Sequence, residues 1–332
     1  MIPIFIGGTG RSGTSILKKV LMQHPNVVGI NGELRILTDP GGALDLINSL
    51  SRDWTPYKAD YALQKFQSVM TDAAVNTSLL GRALRKSLLQ FGASPRRYAG
   101  TDLARQFGNQ YFYERLDQLI QDLTYHIAKG SWVGSPPYRL QSKIYEADPF
   151  DFSGVAALIN DFFDDLYDHL AQKKGMEVIT HWLDDTPYNI LRADMLLKVF
   201  PNMKLVHIYR DPRDVLASYL RQNWGGDYVA ATARRLGNVL DRWRDIRESL
   251  PDGLYLEIPF EALALSPQKR LSEIASFIGL SNYQFSEDEL ALINYDRAHI
   301  GRWKKDIPKD SLDFVEKYLS SHIQSFGYSS KS

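Results

Sequence analysis

The 332-residue sequence contains no cysteine. Disulfides, thiolate metal centres and cysteine nucleophiles are therefore excluded. The absence agrees with a reducing compartment. The sequence also lacks a charge bias, with 39 Lys and Arg against 39 Asp and Glu. A bulk polyanion such as nucleic acid is not an expected partner, while a local basic pocket is still allowed. No apolar run approaches the ~20 residues of a membrane span. The first run, Ile2 to Ile6, has no charged segment before it and meets glycines at once, which does not read as a leader. No ligand cluster suggests a metal. Together these absences predict a cytoplasmic protein without a membrane span.

What is present fits an ordinary globule, 44% hydrophobic and 23% charged. The length suits one large α/β domain carrying an insertion. Ile2-Pro3-Ile4-Phe5-Ile6 reads as a buried strand. Ile16, Leu17, Val20 and Leu21 then recur at helical spacing, and Pro25 stops that helix. Further strands are expected at residues 178–182, 205–209 and 254–258. Helices are expected from residue 187 to about 200, from 213 onward, and from Pro267 to Gly279 with Leu271, Ile274, Ala275 and Ile278 inward. Strands alternating with helices predict a P-loop-like parallel sheet flanked by helices.

Residues 40–175 differ. They carry long helical patterns, at 111–128 and 155–170, and few strand signals. This stretch reads as a mostly helical insertion, either an acceptor-side cap or a purely structural one. Residues 329–332 read as a frayed tail.

The chemistry begins at Gly8-Thr9-Gly10-Arg11-Ser12-Gly13-Thr14-Ser15. It nearly fits the phosphate loop G-x-x-x-x-G-K-[ST]. Glycines at this spacing let backbone N–H groups face an anion at a helix N-terminus. Thr14 stands where a triphosphate-binding loop has lysine, which argues against ATP or GTP hydrolysis. Arg11 supplies a charge earlier in the loop, with a fork of donors suited to oxyanions. A glycine turn that merely joins strand to helix is the competing reading.

A second segment, Arg210-Asp211-Pro212-Arg213-Asp214 through Ser218, puts Arg210 at a strand end and Ser218 two turns into the next helix. With the first loop, it resembles the sulfotransferases that use 3′-phosphoadenosine 5′-phosphosulfate (PAPS). The resemblance covers residues 2–38 and 177–310 and is closest to the tyrosylprotein and carbohydrate branch. It implies that Gly10, Arg11, Ser12, Gly13, Thr14 and Ser15 hold the 5′-phosphosulfate, and that Arg210 and Ser218 hold the 3′-phosphate. Gly301-Arg302-Trp303-Lys304-Lys305 looks like the family's C-terminal loop, which implies nucleotide contacts from Arg302, Trp303 and Lys304. A basic surface loop is the alternative reading.

Sulfuryl transfer needs charge stabilisation on the leaving phosphate, assigned to Arg11, and removal of the acceptor's proton. Glu33-Leu34-Arg35 is similar to the Glu-Thr-Arg of tyrosylprotein sulfotransferases. By that resemblance Glu33 is the base and Arg35 an acceptor-side residue. His181 and Asp185 are alternative bases or acceptor contacts. Asp185 is also a departure, because many members have a lysine there that helps the leaving group. A carboxylate beside a sulfonate is costly unless paired. The resemblance thus implies PAPS as donor, adenosine 3′,5′-bisphosphate (PAP) as product, no metal, and a hydroxyl acceptor of unread identity. A P-loop kinase or NTPase, and an inactive PAPS-binding protein, are the competing readings.

Overall fold

The computed structural model describes residues 1–74, 101–132, 143–222, 225–226, 228–293, 295 and 298–329. The parts of the expected insertion at 75–100 and 133–142, and the end of the tail at 330–332, lie outside the described residues.

β1 (Ile2–Gly7) leads through the glycine loop into α1 (Thr14–Leu21) and then β2 (Val27–Gly29). Next come α2 (Ala43–Ser51), α3 (Pro56–Ala74), α4 (Leu103–Phe107) and α5 (Asn109–Asp122). β3 (His126–Lys129), β4 (Lys143–Glu146), α6 (Phe152–Lys173) and β5 (His181–Asp184) follow. A 3-10 turn at Pro187–Arg192 runs into α7 (Ala193–Val199), β6 (Lys204–Tyr209), α8 (Pro212–Leu220), α9 (Val229–Arg247) and β7 (Tyr255–Pro259). The chain closes with α10 (Phe260–Leu265), α11 (Pro267–Phe277), α12 (Glu287–Leu290), α13 (Trp303–Asp306), α14 (Lys309–Tyr318) and α15 (Ser320–Ser325).

The main sheet has the order β2-β5-β1-β6-β7. β1 runs parallel to β6, with Ile4 opposite Lys204 and Gly7 opposite His207. β6 runs parallel to β7, from Leu205 opposite Tyr255 to Tyr209 opposite Pro259. Helices flank this mostly parallel sheet, as the alternating pattern predicts.

The chain divides into two compact units. One comprises Met1, residues 28–182 and residues 195–201; the other comprises residues 2–27, 183–194 and 202–332. The second unit buries Ile4, Ile6, Val206, Ile208 and Ile258 from its strands against Leu17, Val20 and Leu21 of α1 and Leu271, Ile274 and Ala275 of α11. Those helix residues recur every three or four positions, so each helix turns one apolar stripe to the sheet. In the first unit, Tyr167 of α6 stacks on Trp182 at 4.6 Å, and Phe200 meets the indole edge-on at 5.4 Å. Asp164 on the same helix accepts from Trp182 Nε1 at 2.8 Å, satisfying the one polar atom of that buried ring.

Three expectations change. The strand expected at 178–182 begins at His181 and continues to Asp184. Val178 is 60% exposed, while residues 181–184 are all buried, so burial selects the later register. The helix expected over 111–128 ends at Asp122, and His126–Lys129 instead pairs antiparallel with Lys143–Glu146. The partner strand lies far along the chain, and tertiary pairing overrides the local helical period. At the tail, Ser329 is tied down, its carbonyl accepting from Arg213 at 2.9 Å.

Candidate active site

The second unit assembles the glycine loop, the start of α8 and the loop before α13. Gly8 lies where a Cβ would sit 2.6 Å from the Ile208 carbonyl and against Ser12 Oγ, so the loop packs directly on β6. Gly13 has φ +106° and is the residue before the first turn of α1. A Cβ there would also meet the Phe260 ring at 2.5 Å. Arg11 holds φ +58° without being glycine, a conformation that the surrounding contacts must maintain. No side chain caps α1, and its first turn has no acidic residue. The helix end is therefore left positive.

Neighbouring residues of α8 brace the loop. Arg11 Nε donates to Ser218 Oγ at 3.1 Å. The Tyr219 hydroxyl donates to the Thr9 carbonyl. Burial drives the Tyr219 pKa far above the ordinary phenol value, so it remains a donor. Gly8 N–H donates to the Pro187 carbonyl at 2.8 Å. Within this scaffold, Ser12 Oγ is buried with no hydrogen-bond partner among the described residues. Buried orphan hydroxyls are rare, and an anion in the loop would satisfy this one.

Arg210, at the end of β6, is also buried. Its Nη2 donates to Asp214 Oδ2 at 3.0 Å and to the His299 carbonyl at 2.6 Å. Its Nε has no hydrogen-bond partner among the described residues. Asp214 in turn accepts from Gly301 N–H at 2.8 Å and Trp303 N–H at 3.0 Å. The Arg210–Asp214 pair therefore fastens residues 299–303 to the start of α8.

The C-terminal basic segment is split by this geometry. Arg302 and Lys305 line a cavity of about 530 Å³ together with Arg221 and His299. Lys304 lines a different cavity of about 440 Å³ with Arg213 and Tyr328. Trp303 is buried in the cluster of Val215, Leu216, Leu236 and Leu312, with the Arg213 guanidinium 4.2 Å from its ring centre. Its indole is a core element, and its backbone N–H is what reaches Asp214. Sequence reasoning missed Arg221. It lies three residues beyond Ser218, one helical turn on, and that spacing was the available signal.

Asp185 is 2% exposed, and its Oδ1 lies 2.7 Å from Lys18 Nζ. The requirement for a partner is met from α1. Asp184, the last residue of β5, accepts from Thr186 Oγ1 at 3.1 Å and Asn189 Nδ2 at 2.8 Å, and so shapes the turn that carries Pro187.

In the first unit, Glu33 is half-buried and follows Gly32, whose φ is +96°. Arg35 pairs with Asp39 at 2.8 Å across one helical turn. The preceding Asn31 is bracketed by Gln106 of α4, which accepts from its N–H at 2.6 Å and donates to its carbonyl at 3.1 Å. Lys174 Nζ donates to the Gly29 carbonyl at 3.0 Å. Gln106 and Lys174 thus fix the segment bearing Glu33, and neither was legible from motifs. His181 is buried, its Nδ1 2.7 Å from Thr180 Oγ1.

Among the described residues, no group of three or more His, Cys, Asp or Glu could hold a metal ion. Among them too, no helix is long and apolar enough to cross a membrane.

Comparison with known proteins places the fold. The solved sulfotransferase domain of the Synechococcus PCC 7002 olefin synthase superposes with a TM-score of 0.54 at 15% identity, covering 99% of this chain and 94% of that one. A sulfotransferase domain from the curacin biosynthetic pathway gives 0.52 at 13% identity, covering 99% and 98%. At these identities the likeness shows the fold. An uncharacterized protein of Aquifex aeolicus (strain VF5) is 29% identical over 156 residues, 43% of this chain. The match spans only 20% of that relative's length. The sulfotransferase family model matches residues 3–284, which takes in the glycine loop and the Arg210 to Ser218 segment, and the chain belongs to the sulfotransferase family.

Proposed function

We propose that the protein transfers a sulfuryl group from PAPS to a hydroxyl acceptor and releases PAP. The observation that carries this reading is the pair of orphaned buried donors, Ser12 Oγ in the glycine loop and Arg210 Nε at the end of β6. Each belongs to one of the two motifs that the family resemblance assigns to the donor, and an unmet buried polar group is costly without a ligand. A donor with phosphate groups at two positions accounts for both.

The bound donor supplies a sulfuryl group carried on a phosphate leaving group. Gly10 to Ser15 hold its 5′ end through loop amides at the start of α1. Arg11, braced on Ser218, offsets negative charge on the leaving oxygen. Arg210 and Ser218 hold the 3′-phosphate, and the segment from His299 to Trp303, fastened by Asp214, borders it with Arg302. Glu33 accepts the proton of the acceptor hydroxyl, and Arg35 orients the acceptor. His181 is enclosed at the start of β5 and is the weaker candidate for the base.

The ATP-dependent reading is disfavoured by Thr14, which is buried at the position of the triphosphate lysine. Asp185, the departure that favours an inactive binder, is paired with Lys18, and that pairing supports the catalytic reading over the inactive one. The test is incubation with PAPS and a panel of phenol, sugar, lipid and peptide hydroxyls, followed by mass spectrometry. The reading expects gain of one sulfonate on at least one acceptor class, together with stoichiometric PAP. PAPS binding without transfer to any class would leave only the inactive-binder reading standing.

A further inference from the structure

We propose that Lys18 and Asp185 form a charge-compensating pair of the donor site, in which Lys18 cancels a buried carboxylate that would otherwise repel the donor. The inference rests on the donor reading above and concerns residues that the reading leaves without a role.

Asp185 lies one residue beyond β5 and two before Pro187, whose carbonyl is hydrogen-bonded to Gly8 of the loop. Its side chain is 3% exposed, so water screens it little. A lone ionised carboxylate in this setting opposes an incoming dianion and is itself poorly solvated.

Lys18 answers both problems. It lies four residues after Thr14, the first residue of α1, and therefore on the same helix face. Side chains on a helix lean toward its N-terminus, which directs Lys18 back toward the loop. Its side chain is 6% exposed, and its ammonium is 2.7 Å from Asp185 Oδ1. Arg11, by contrast, is exposed and engaged with Ser218. The charge missing at position 14 is thus matched by a buried cation one turn further along the helix. Lys18 acts through the field and through Asp185, so it is a positioning residue that needs no contact with the donor.

The two partners have opposite predicted signs, which a purely structural ion pair does not produce. Calorimetric titration with PAP, alongside thermal melting of each variant, provides the readout. Lys18→Met should weaken PAP binding about tenfold or more, because it uncovers the carboxylate. Asp185→Asn should bind PAP as tightly as the parent or tighter, because it removes a buried negative charge that opposes the donor. The double variant should return to within about threefold of the parent. Unchanged affinity in Lys18→Met, or equal weakening in both single variants, would overturn the proposal. If Lys18→Met does not fold, Asp185→Asn must still bind PAP at least as tightly as the parent, and weaker binding overturns the proposal. A parent protein that fails to bind PAP at all would overturn the donor reading instead.

Discussion

Arg11 Nε and Ser218 Oγ lie 3.1 Å apart although 207 positions separate them in the chain. The hydrogen bond joins the glycine loop to α8, and with it the two motifs assigned to opposite ends of one donor. It also helps hold Arg11 at its left-handed φ of +58°. An arginine so braced is poised before any ligand arrives, which lowers the ordering cost of binding.

Ser218→Ala removes this brace with little change of volume. Affinity for PAP should fall by roughly 30-fold, about 2 kcal/mol, because the hydroxyl serves both the brace and the proposed hold on the 3′-phosphate. The melting temperature should hardly move, since Arg11 is solvent-exposed. Titration calorimetry and thermal melting together check the separation.

Arg210→Ala should abolish measurable PAP binding and also destabilise the fold. The Arg210 and Asp214 side chains are 6% and 1% exposed, so removing one leaves the other buried and uncompensated. Such losses run to about 3 kcal/mol or more. For a chain of this size that corresponds to a fall of roughly 4–7 °C in Tm. Differential scanning calorimetry measures it, and Arg210→Lys should recover part of the stability by restoring the charge.

Glu257 on β7 sets an acid limit on stability. Burial opposes its ionisation, but the His207 hydrogen bond and charge, the Trp243 N–H and Arg247 outweigh it and bring its pKa down to about 2 from 4.5. A depressed carboxylate pKa stabilises the fold above the unfolded value and loses that contribution as pH falls through the folded value. Stability should therefore decline between about pH 4.5 and pH 2. The effect is at most about 3 kcal/mol, from the shift at ~1.4 kcal/mol per unit. In Glu257→Gln this part of the pH slope should vanish, as urea titrations at stepped pH would record.

Glu33→Gln separates binding from chemistry. PAP affinity should stay within about twofold, and sulfonate transfer should drop roughly 100-fold or more, as expected for loss of a general base. Equal turnover by both proteins would remove Glu33 from the mechanism and return attention to His181.

Much of the second unit was legible in the sequence because its signals are local. Ile2 to Ile6, the glycines after it, and Leu205 to Tyr209 followed by Arg210 are apolar runs ending in punctuation, and each became the expected element. What escaped depends on distance. The partner of Asp185 comes from α1, 167 residues away, and no pattern around either residue announces it. The antiparallel pairing of His126–Lys129 with Lys143–Glu146 overrode a helical period. Asp214 at the start of α8 receives Gly301 and Trp303 from far along the chain, which no local pattern announces. Trp303 looked available to a ligand beside its basic neighbours, but Arg213 and the aliphatic cluster enclose it.

The most direct measurement is a paired calorimetric titration of the unmodified protein with PAP and with ATP plus Mg²⁺. The account predicts saturable one-to-one binding of PAP, competitive with PAPS, and binding of ATP at least about 100-fold weaker, since Thr14 replaces the triphosphate lysine. ATP binding as tightly as PAP, or PAP failing to bind at all, would contradict it.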